Sequence, residues 1–397
     1  MQEFDVAILG GGMVGSTLAL ALSRLHDLQG HKPRILLIES RRPHSVDHPG
    51  FDARAIALSY GSQQAISELG LQAEFLSGSA AIRSIHVSDR GHLGRVELTA
   101  REYGIPLLGG VVELHTVGQR LLRRLETSPE ICYRAPAQVR DLEFHDDSVV
   151  IHQVDGESSR CRLLVLADGG GSAWRTRLGL NWRQESFEQT ALISTLLTQG
   201  TPPERAWERF TESGPLALLP LGANRLSVVW SLRHDEAEQA SSWGHEQFLY
   251  RLQHAFGYRA GRFIQAGTRE LYPLFLRQTQ DIGHHRLLLL GNAAQQLHPV
   301  AGQGFNLGLR DIMTLYRQLQ PVWRSRLDIG SASVLRCYRE ARRPDVDTTI
   351  WMTSALARLF SSAHEPLVSG RSLGLLAMNR CALLKQHLAR QALGLIE

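Results

Sequence analysis

The sequence predicts an α/β protein with a Rossmann-like nucleotide domain, an inserted antiparallel β-sheet domain and C-terminal helices. Three observations predict it. The chain opens on a strand, a glycine-rich turn, a helix and a second strand that ends in an acid. Between residues 181 and 280 that texture gives way to short strands. An apolar strand, Leu287–Leu290, then returns and runs into a second glycine-rich loop followed by a helix.

Phe4–Leu9 reads as the first strand, and it enters Gly10-Gly11-Gly12-Met13-Val14-Gly15. A helix over Ser16–Leu28 and a strand over Arg34–Ile38 follow, with Glu39 next. In this GxGxxG turn Gly10 permits the tight bend, Gly12 lets a pyrophosphate approach the backbone, and Gly15 lets the helix pack on the strand. Glu39 stands where a carboxylate accepts hydrogen bonds from a ribose, which favours a free 2′-hydroxyl. FAD and NAD both fit. Helices are predicted over Gly61–Leu69 and Glu113–Leu125, with a hairpin of Ser84–Ser88 and Arg95–Leu98 between them. Strands follow over Ile131–Arg134, Val139–Phe144, Ser148–Gln153 and Cys161–Ala167. The last runs into Asp168-Gly169-Gly170-Gly171-Ser172-Ala173-Trp174-Arg175, where Asp168 is placed to cap a new helix.

Strands over Leu192–Leu197, Ala206–Phe210, Leu216–Leu219, Leu226–Leu232 and Phe263–Tyr272, with one helix over Gly244–Ala255, make up the inserted sheet. After it comes Gly291-Asn292-Ala293-Ala294-Gln295, then the run from His298 to Asp311 and a helix over Phe305–Leu319. Strand, glycine-rich loop, helix is how a fold presents bare N–H groups at a helix N-terminus. The rest reads as helical, with breaks near Pro344, Pro366 and Gly370. The expected division is a nucleotide domain of residues 1–80, 100–180 and 281–345, a sheet domain of 81–99 and 181–280, and a helical segment of 346–397.

Composition narrows the class. At 397 residues, 43% hydrophobic and 21% charged, the chain is an ordinary globular protein with more than one core. No apolar run is long enough to span a bilayer, and the N-terminus reads as a strand, not a secretory signal. The four cysteines (Cys132, Cys161, Cys337, Cys381) are scattered, which points to a reducing compartment and no metal site. A net charge of +4 comes without a basic cluster interleaved with aromatics, so nucleic-acid binding is not expected.

GxGxxG, DGGGSAWR and the Gly291–Asp311 stretch stand in a fixed order. That set resembles the class A flavoprotein monooxygenases, the para-hydroxybenzoate hydroxylase-like group. The segment HPVAGQGFNLGLRD, residues 298–311, is similar to the signature of the ubiquinone-biosynthesis hydroxylases within it. FDARAIAL (51–58), VSDRG (87–91), ELHTVGQRL (113–121), RFTESGPLALLP (209–220) and GNAAQ (291–295) extend the likeness along the chain. The resemblance implies FAD as cofactor, NAD(P)H as reductant and O2 as co-substrate. It implies that Gly10, Gly12 and Gly15 hold the pyrophosphate and Glu39 the adenosine ribose. Met13 and Val139 join the cofactor-binding set, and Arg54 lies towards the flavin. Asp168 and Gly169 serve both FAD and the nicotinamide, and Gly291 and Asn292 meet the ribityl region. Pro299, Gly302, Gly304, Phe305 and Asn306 surround the flavin ring. His298, Pro299 and Gln303 form its catalytic environment. Relatives usually carry Asp and His where this chain has Asn292 and Gln295. They often have Gly at Leu166 and a polar residue at Leu114.

The implied reaction inserts one atom of O2 into a polyprenylated methoxyphenol during ubiquinone biosynthesis, after O2 adds at flavin C4a. His115, Tyr272, His298, and Gln295 through a water, are the groups able to take the phenol proton. Expected partners are a membrane-resident prenylated phenol and other ubiquinone-biosynthesis proteins. The expected location is the cytoplasm, peripheral at the inner membrane surface, with the basic amphipathic segment Trp351–Gly394 as the expected contact. Two alternatives stay open: a flavin-dependent reductase of isoprenoid lipids, and a non-catalytic FAD-bearing subunit of a lipid-biosynthetic complex. Flavin-dependent halogenation lacks its Lys and Trp-rich motif.

Overall fold

The computed structural model describes residues 1–41, 54–297, 302–361, 385–386, 389–390 and 393–394. β1 (Gln2–Leu9), α1 (Met13–Leu22) and β2 (Ile35–Ile38) open the chain. β3 (Ala55–Ser59), α2 (Tyr60–Glu68), α3 (Gln72–Phe75) and β4 (Ala80–Ile82) come next, then the hairpin β5 (Ser84–Asp89) and β6 (Arg95–Thr99). β7 (Gly109–Glu113) leads into α4 (Leu114–Glu126). β8 (Ile131–Arg134), β9 (Val139–Phe144), β10 (Val149–Gln153) and β11 (Ser158–Leu166) precede the short helix α5 (Ala173–Arg177). The next region holds β12 (Trp182–Gln199), β13 (Arg205–Phe210), β14 (Pro215–Pro220), β15 (Arg225–Arg233), α6 (His234–Ser242), α7 (His245–Phe256), β16 (Arg262–Ala266) and β17 (Glu270–Thr279). β18 (Gly283–His284), β19 (Leu287–Leu289), β20 (Gln295–Gln296), α8 (Gln303–Arg324) and α9 (Ala332–Ser361) complete the described chain.

The first sheet runs β18-β19-β11-β1-β2-β8, with β9 and β10 attached beside β11. β19, β11, β1, β2 and β8 are parallel. The four residues of β2 are buried, as are Val6 to Leu9 of β1, because one face of these central strands packs on α1, α4 and α8 and the other on β9, β10 and the α5 region. The second sheet runs β20-β17-β12-β15-β14-β13-β5-β6, with β16 beside β12. It is antiparallel except that β13 and β5 are parallel. One face of it packs on α6 and α7 through Trp207, Leu216, Val228, Trp230, Phe248 and Leu252. A small third sheet, β3-β7-β4, lies between.

Several local expectations are corrected. The first helix stops at Leu22 and not Leu28: the Asp27 carboxylate accepts the Gln29 and His31 N–H groups at 2.8 and 2.9 Å and turns the chain. The strand expected over Phe263–Tyr272 is two strands, separated at 267–269. The helix expected over Gly244–Ala255 is α7, and a further helix that was not expected, α6, precedes it. Pro344 does not break α9, which runs through it. The helix persists there because its flanks are tied down: Arg342 donates to Asp311 at 2.7 Å and to Asp345 at 2.5 Å, and Arg310 meets Asp345 at 3.2 Å. Pro366 and Gly370 lie outside the described residues.

Asp311 organises this end of the fold. Its side chain is 2% exposed. Oδ1 accepts from Arg342 Nε at 2.7 Å. Oδ2 accepts from the Gly291 N–H at 3.0 Å and from Gln295 Nε2 at 2.8 Å. Removing the cation would leave a buried carboxylate without its countercharge. Arg342→Leu is therefore expected to lower the unfolding free energy by about 3–5 kcal/mol in urea titration. Arg343→Leu, whose side chain is 84% exposed, serves as the control and should cost less than about 1 kcal/mol.

Candidate active site

Because β1, β2, β11 and β19 are parallel, their carboxyl ends share one edge of the first sheet. The three glycine-rich segments all leave from that edge, where open α/β sheets bind their ligands. The Gly10 N–H bonds to Ile38 O at 2.8 Å, and the Ala167 N–H bonds to Leu9 O at 2.8 Å. Gly10 has φ +107°, and a Cβ on it would lie 2.6 Å from the Ala167 carbonyl carbon. A Cβ on Gly15 would overlap the Gly10 carbonyl oxygen. These two glycines therefore serve the turn and the helix–strand approach. Gly12 differs: a Cβ there meets nothing within 4 Å. Gly169 and Gly304 are equally open. Such space is what a close-fitting ligand would fill.

The first and third segments interlock. A Cβ on Gly291 would lie 2.8 Å from Val14 Cγ2, and one on Gly308 3.1 Å from the same methyl. Val14 is thus keyed between β19's exit and α8. The second segment meets the third across Gly170, where a Cβ would come within 2.8 Å of Gln296 Oε1. Arg277 of β17 is 3.4 Å from that oxygen, so the second sheet reaches the same place.

Two helices point their N-termini at this edge. α1 starts after Gly12, and α8 starts after Gly302, which is left-handed with φ +61°. Neither has a side-chain cap or an acid in its first turn. Both therefore present first-turn N–H groups that no capping side chain occupies, suited to anionic groups.

The acids are arranged otherwise. Glu39, 7% exposed, accepts the Gly11 N–H at 2.7 Å through Oε2 and the Arg41 N–H at 2.8 Å through Oε1. It props the glycine loop as well as standing at the end of β2. Val139 begins β9, after a turn in which the Ala137 N–H bonds to Glu39 O at 2.7 Å. Asp168 is not the helix cap expected of it. Ser172 is, accepting the Arg175 N–H at 3.1 Å, because Gly169 and Gly170 carry the chain past Asp168 before α5 begins. Asp168 Oδ1 is buried with no protein partner. Burial pushes its carboxyl up to about 6, opposed by the Ser172 hydroxyl and Arg175 and assisted by Glu39.

Asn306 secures the start of α8. Its Oδ1 accepts the Ser59 N–H at 2.9 Å, and its amide donates to Ala57 O at 2.8 Å and Gly302 O at 2.7 Å. Phe305 stacks on Phe75, centroids 5.9 Å apart, towards the core. Gln303 is buried in the first turn of α8. Arg54 lies 4.8 Å over the Tyr272 ring, joining the approach to β3 to the second sheet, and the Tyr272 hydroxyl meets Glu270. Met13 is half-buried at the start of α1, and Asn292 is exposed. His298 and Pro299 lie outside the described residues. Of the remaining proton acceptors, Gln295 is committed to Asp311, and His115 is exposed on α4 beside Gln119 at 2.7 Å. Leu166 is fully buried inside β11 and Leu114 is 7% exposed.

Sequence reasoning missed Glu208. Cross-strand register places it on the second-sheet face opposite α6 and α7, the face that carries Tyr272 and Ser231. Ala217 and Val87 flank it. It has no hydrogen-bond or ionic partner among the described residues, and burial alone pushes its carboxyl up to about 8. Its position in an apolar row of an alternating strand was the available signal.

With this geometry in view, the comparisons with known proteins are direct. The family described as FAD binding domain matches residues 3–351. The ubiquinone hydroxylase UbiL of Rhodospirillum rubrum is 35% identical over 394 residues, covering 99% of this chain and 90% of that protein. The chain belongs to this FAD-binding family, among the ubiquinone-biosynthesis hydroxylases. The 3-demethoxyubiquinol 3-hydroxylase of Escherichia coli is 31% identical over 411 residues, covering 99% of each. The crystal structure of p-nitrophenol 4-monooxygenase PnpA from Pseudomonas putida superposes with a TM-score of 0.80 at 17% identity and 99% coverage of both chains, which establishes the shared fold. The family is one of FAD-dependent monooxygenases that use NAD(P)H and O2.

The residues present fit FAD. Gly12 leaves a cradle, two uncapped helix ends face it, and a buried Asp168 oxygen awaits a donor. A raised carboxyl pKa means that the folded protein holds a proton more tightly than the unfolded chain. Stability is then lost as pH rises from the ordinary value of 3.8 through about 6. In flavin-free protein, Asp168→Asn should be stabilising by on the order of 2 kcal/mol at pH 7 and near neutral at pH 4, read as melting temperature against pH. Glu208→Gln should flatten the corresponding loss as pH rises towards 8.

Proposed function

We propose that this protein hydroxylates a prenylated phenolic precursor of ubiquinone, a 2-polyprenyl-6-methoxyphenol, with FAD, NAD(P)H and O2. The observation that carries the reading is the convergence of three glycine-rich segments at one sheet edge that also touches the second sheet through Arg277 and Arg54. A cofactor held at that edge would meet a substrate lying on the second sheet. Residues 81–99 and 181–280 then form the substrate domain and the remainder the FAD domain.

In this assignment the α1 N-terminus with Gly10, Gly12, Met13 and Gly15 binds the pyrophosphate. Glu39 takes the adenosine ribose, with Val139 beside it. Asp168 and Gly169, with Gly291 and Asn292, hold the middle of the cofactor. Gly302, Gly304, Phe305, Asn306, Gln303, His298 and Pro299 shape the end nearest the substrate, and Arg54 closes it. FAD, when bound, supplies the electron transfer from NAD(P)H and the activation of O2. The protein's part is to orient the phenol and keep water out. The α8 N-terminus offers positive dipole to negative charge on the bound group. Tyr272 is the described hydroxyl best placed to bond the phenol, because Arg54 and Glu270 fix its ring and oxygen.

No helix among the described residues is long and apolar enough to cross a membrane. A prenyl tail keeps the substrate in the bilayer, so we place the enzyme at the cytoplasmic membrane surface, alongside other proteins of the pathway.

Turnover and flavin-retention measurements test the proposal. Purified protein should carry a flavin spectrum and oxidise NAD(P)H faster with a short-tailed 2-prenyl-6-methoxyphenol, yielding the ring-hydroxylated product. Anaerobic reduction of a quinone without hydroxylation would instead indicate a reductase. Gly12→Val should fold normally, since its side chain meets no protein atom within 4 Å at the Cβ, yet lose most of its flavin. Asp168→Asn should release flavin more readily on dilution even though it stabilises the flavin-free protein.

A further inference from the structure

The outer edge of the second sheet carries a second feature, remote from the glycine-rich edge. At the tip of the β5–β6 hairpin, Leu93 is 85% exposed. Tyr250 on α7 is 71% exposed, and Tyr258 just after it is 74% exposed. The three are joined by a band of arginines. Tyr250 stacks on His254, with centroids 6.4 Å apart, and His254 Nδ1 lies 3.1 Å from Arg90 Nη2 at the hairpin. Arg259, beside Tyr258, lies 3.0 Å from His86 Nε2 on β5.

The charge here is one-sided. Among the described residues, Arg90, Arg95 and Arg259 have no carboxylate partner. Glu97 pairs with Arg205, and Asp89 is buried with His92 at 3.1 Å. Burial, and then Arg259, Arg205, Arg95 and Arg209, push the His86 ring down to about 4, so it stays neutral and adds no charge of its own. Like charges gathered this way repel one another unless an external anion lies against them.

We propose, resting on the membrane-surface placement above, that this edge docks on an anionic lipid bilayer. Arginines meet lipid phosphates, the two tyrosines lie at headgroup depth, and Leu93 enters the acyl boundary. An exposed leucine between arginines fits the layered chemistry of a bilayer better than an all-polar partner. The contact is separate from the C-terminal segment expected to serve this purpose, most of which lies outside the described residues.

The test uses the full-length, flavin-loaded protein and vesicle sedimentation, which needs no turnover and is independent of the hydroxylation assay. Vesicles are phosphatidylcholine alone, or phosphatidylcholine with about a third phosphatidylglycerol. The wild-type protein should sediment with the anionic vesicles and not the neutral ones, and less so as salt rises. Arg90→Glu with Arg259→Glu should weaken that partition at least about tenfold, since two charges are reversed. Leu93→Asp should weaken it as well. Flavin content and melting temperature should be unchanged in both. Arg95→Glu, altering an exposed side chain, provides the same readout if the double variant fails to fold. Equal partition of wild type onto both vesicle types would overturn the proposal. So would unchanged partition of the variants, or binding of an acidic peptide in place of anionic vesicles.

Discussion

One buried carboxylate holds the working end of this protein together. Asp311 binds the Gly291 amide, the Gln295 side chain and Arg342 at once. Those groups belong to the exit of β19, to β20 and to α9, and Asp311 itself belongs to α8. Little water competes at a site this buried, so the ion pair and its hydrogen bonds are strong together and costly to break singly. The position of α8 relative to Gly10–Gly15 follows, because Val14 is keyed against Gly291 and Gly308. The described parts of the glycine-rich edge around Gly291 and Gly308 are therefore held in place by packing.

The same network accounts for one unusual residue. The family resemblance implies His at the position that this chain fills with Gln295. What the fold asks of that position is a donor to Asp311, and the Gln295 amide donates at 2.8 Å. A glutamine does so without titrating, so the buried network here has no imidazole to protonate as pH falls. Asn292, the other departure, is exposed and bears no comparable structural duty.

Glycines at the edge divide by what surrounds them. Gly10 and Gly15 are needed by the protein itself, since a side chain at either would strike backbone. Gly12 and Gly304 face open space and are free for a ligand, whereas Gly169, equally open, also serves the chain through its left-handed φ of +84°. The acids divide similarly. Glu39 is occupied by two backbone amides, whereas Asp168 keeps a buried oxygen unpaired and holds its proton more tightly for it. A site that awaits a cofactor carries such unmet groups, and they lower the stability of the cofactor-free protein.

The sequence by itself determined the local features: the parallel strands with their glycine turns, the change to a second sheet near residue 181, and the return at Leu287. These are legible because hydrophobic period and glycine spacing act over a few residues. It was also enough to place the chain in its family, since three ordered motifs span its length. Only the tertiary structure decided what depends on residues far apart. Ser172 and not Asp168 caps α5, Asn306 clamps Ser59, and Pro344 sits inside a continuous helix. Glu208 shows as an isolated acid only once Ala217 and Val87 flank it. No basic cluster appears along the chain, yet Arg90, Arg95 and Arg259 come together with two tyrosines on one edge. Burial and charge are sums over neighbours in space, and sequence order does not record those neighbours.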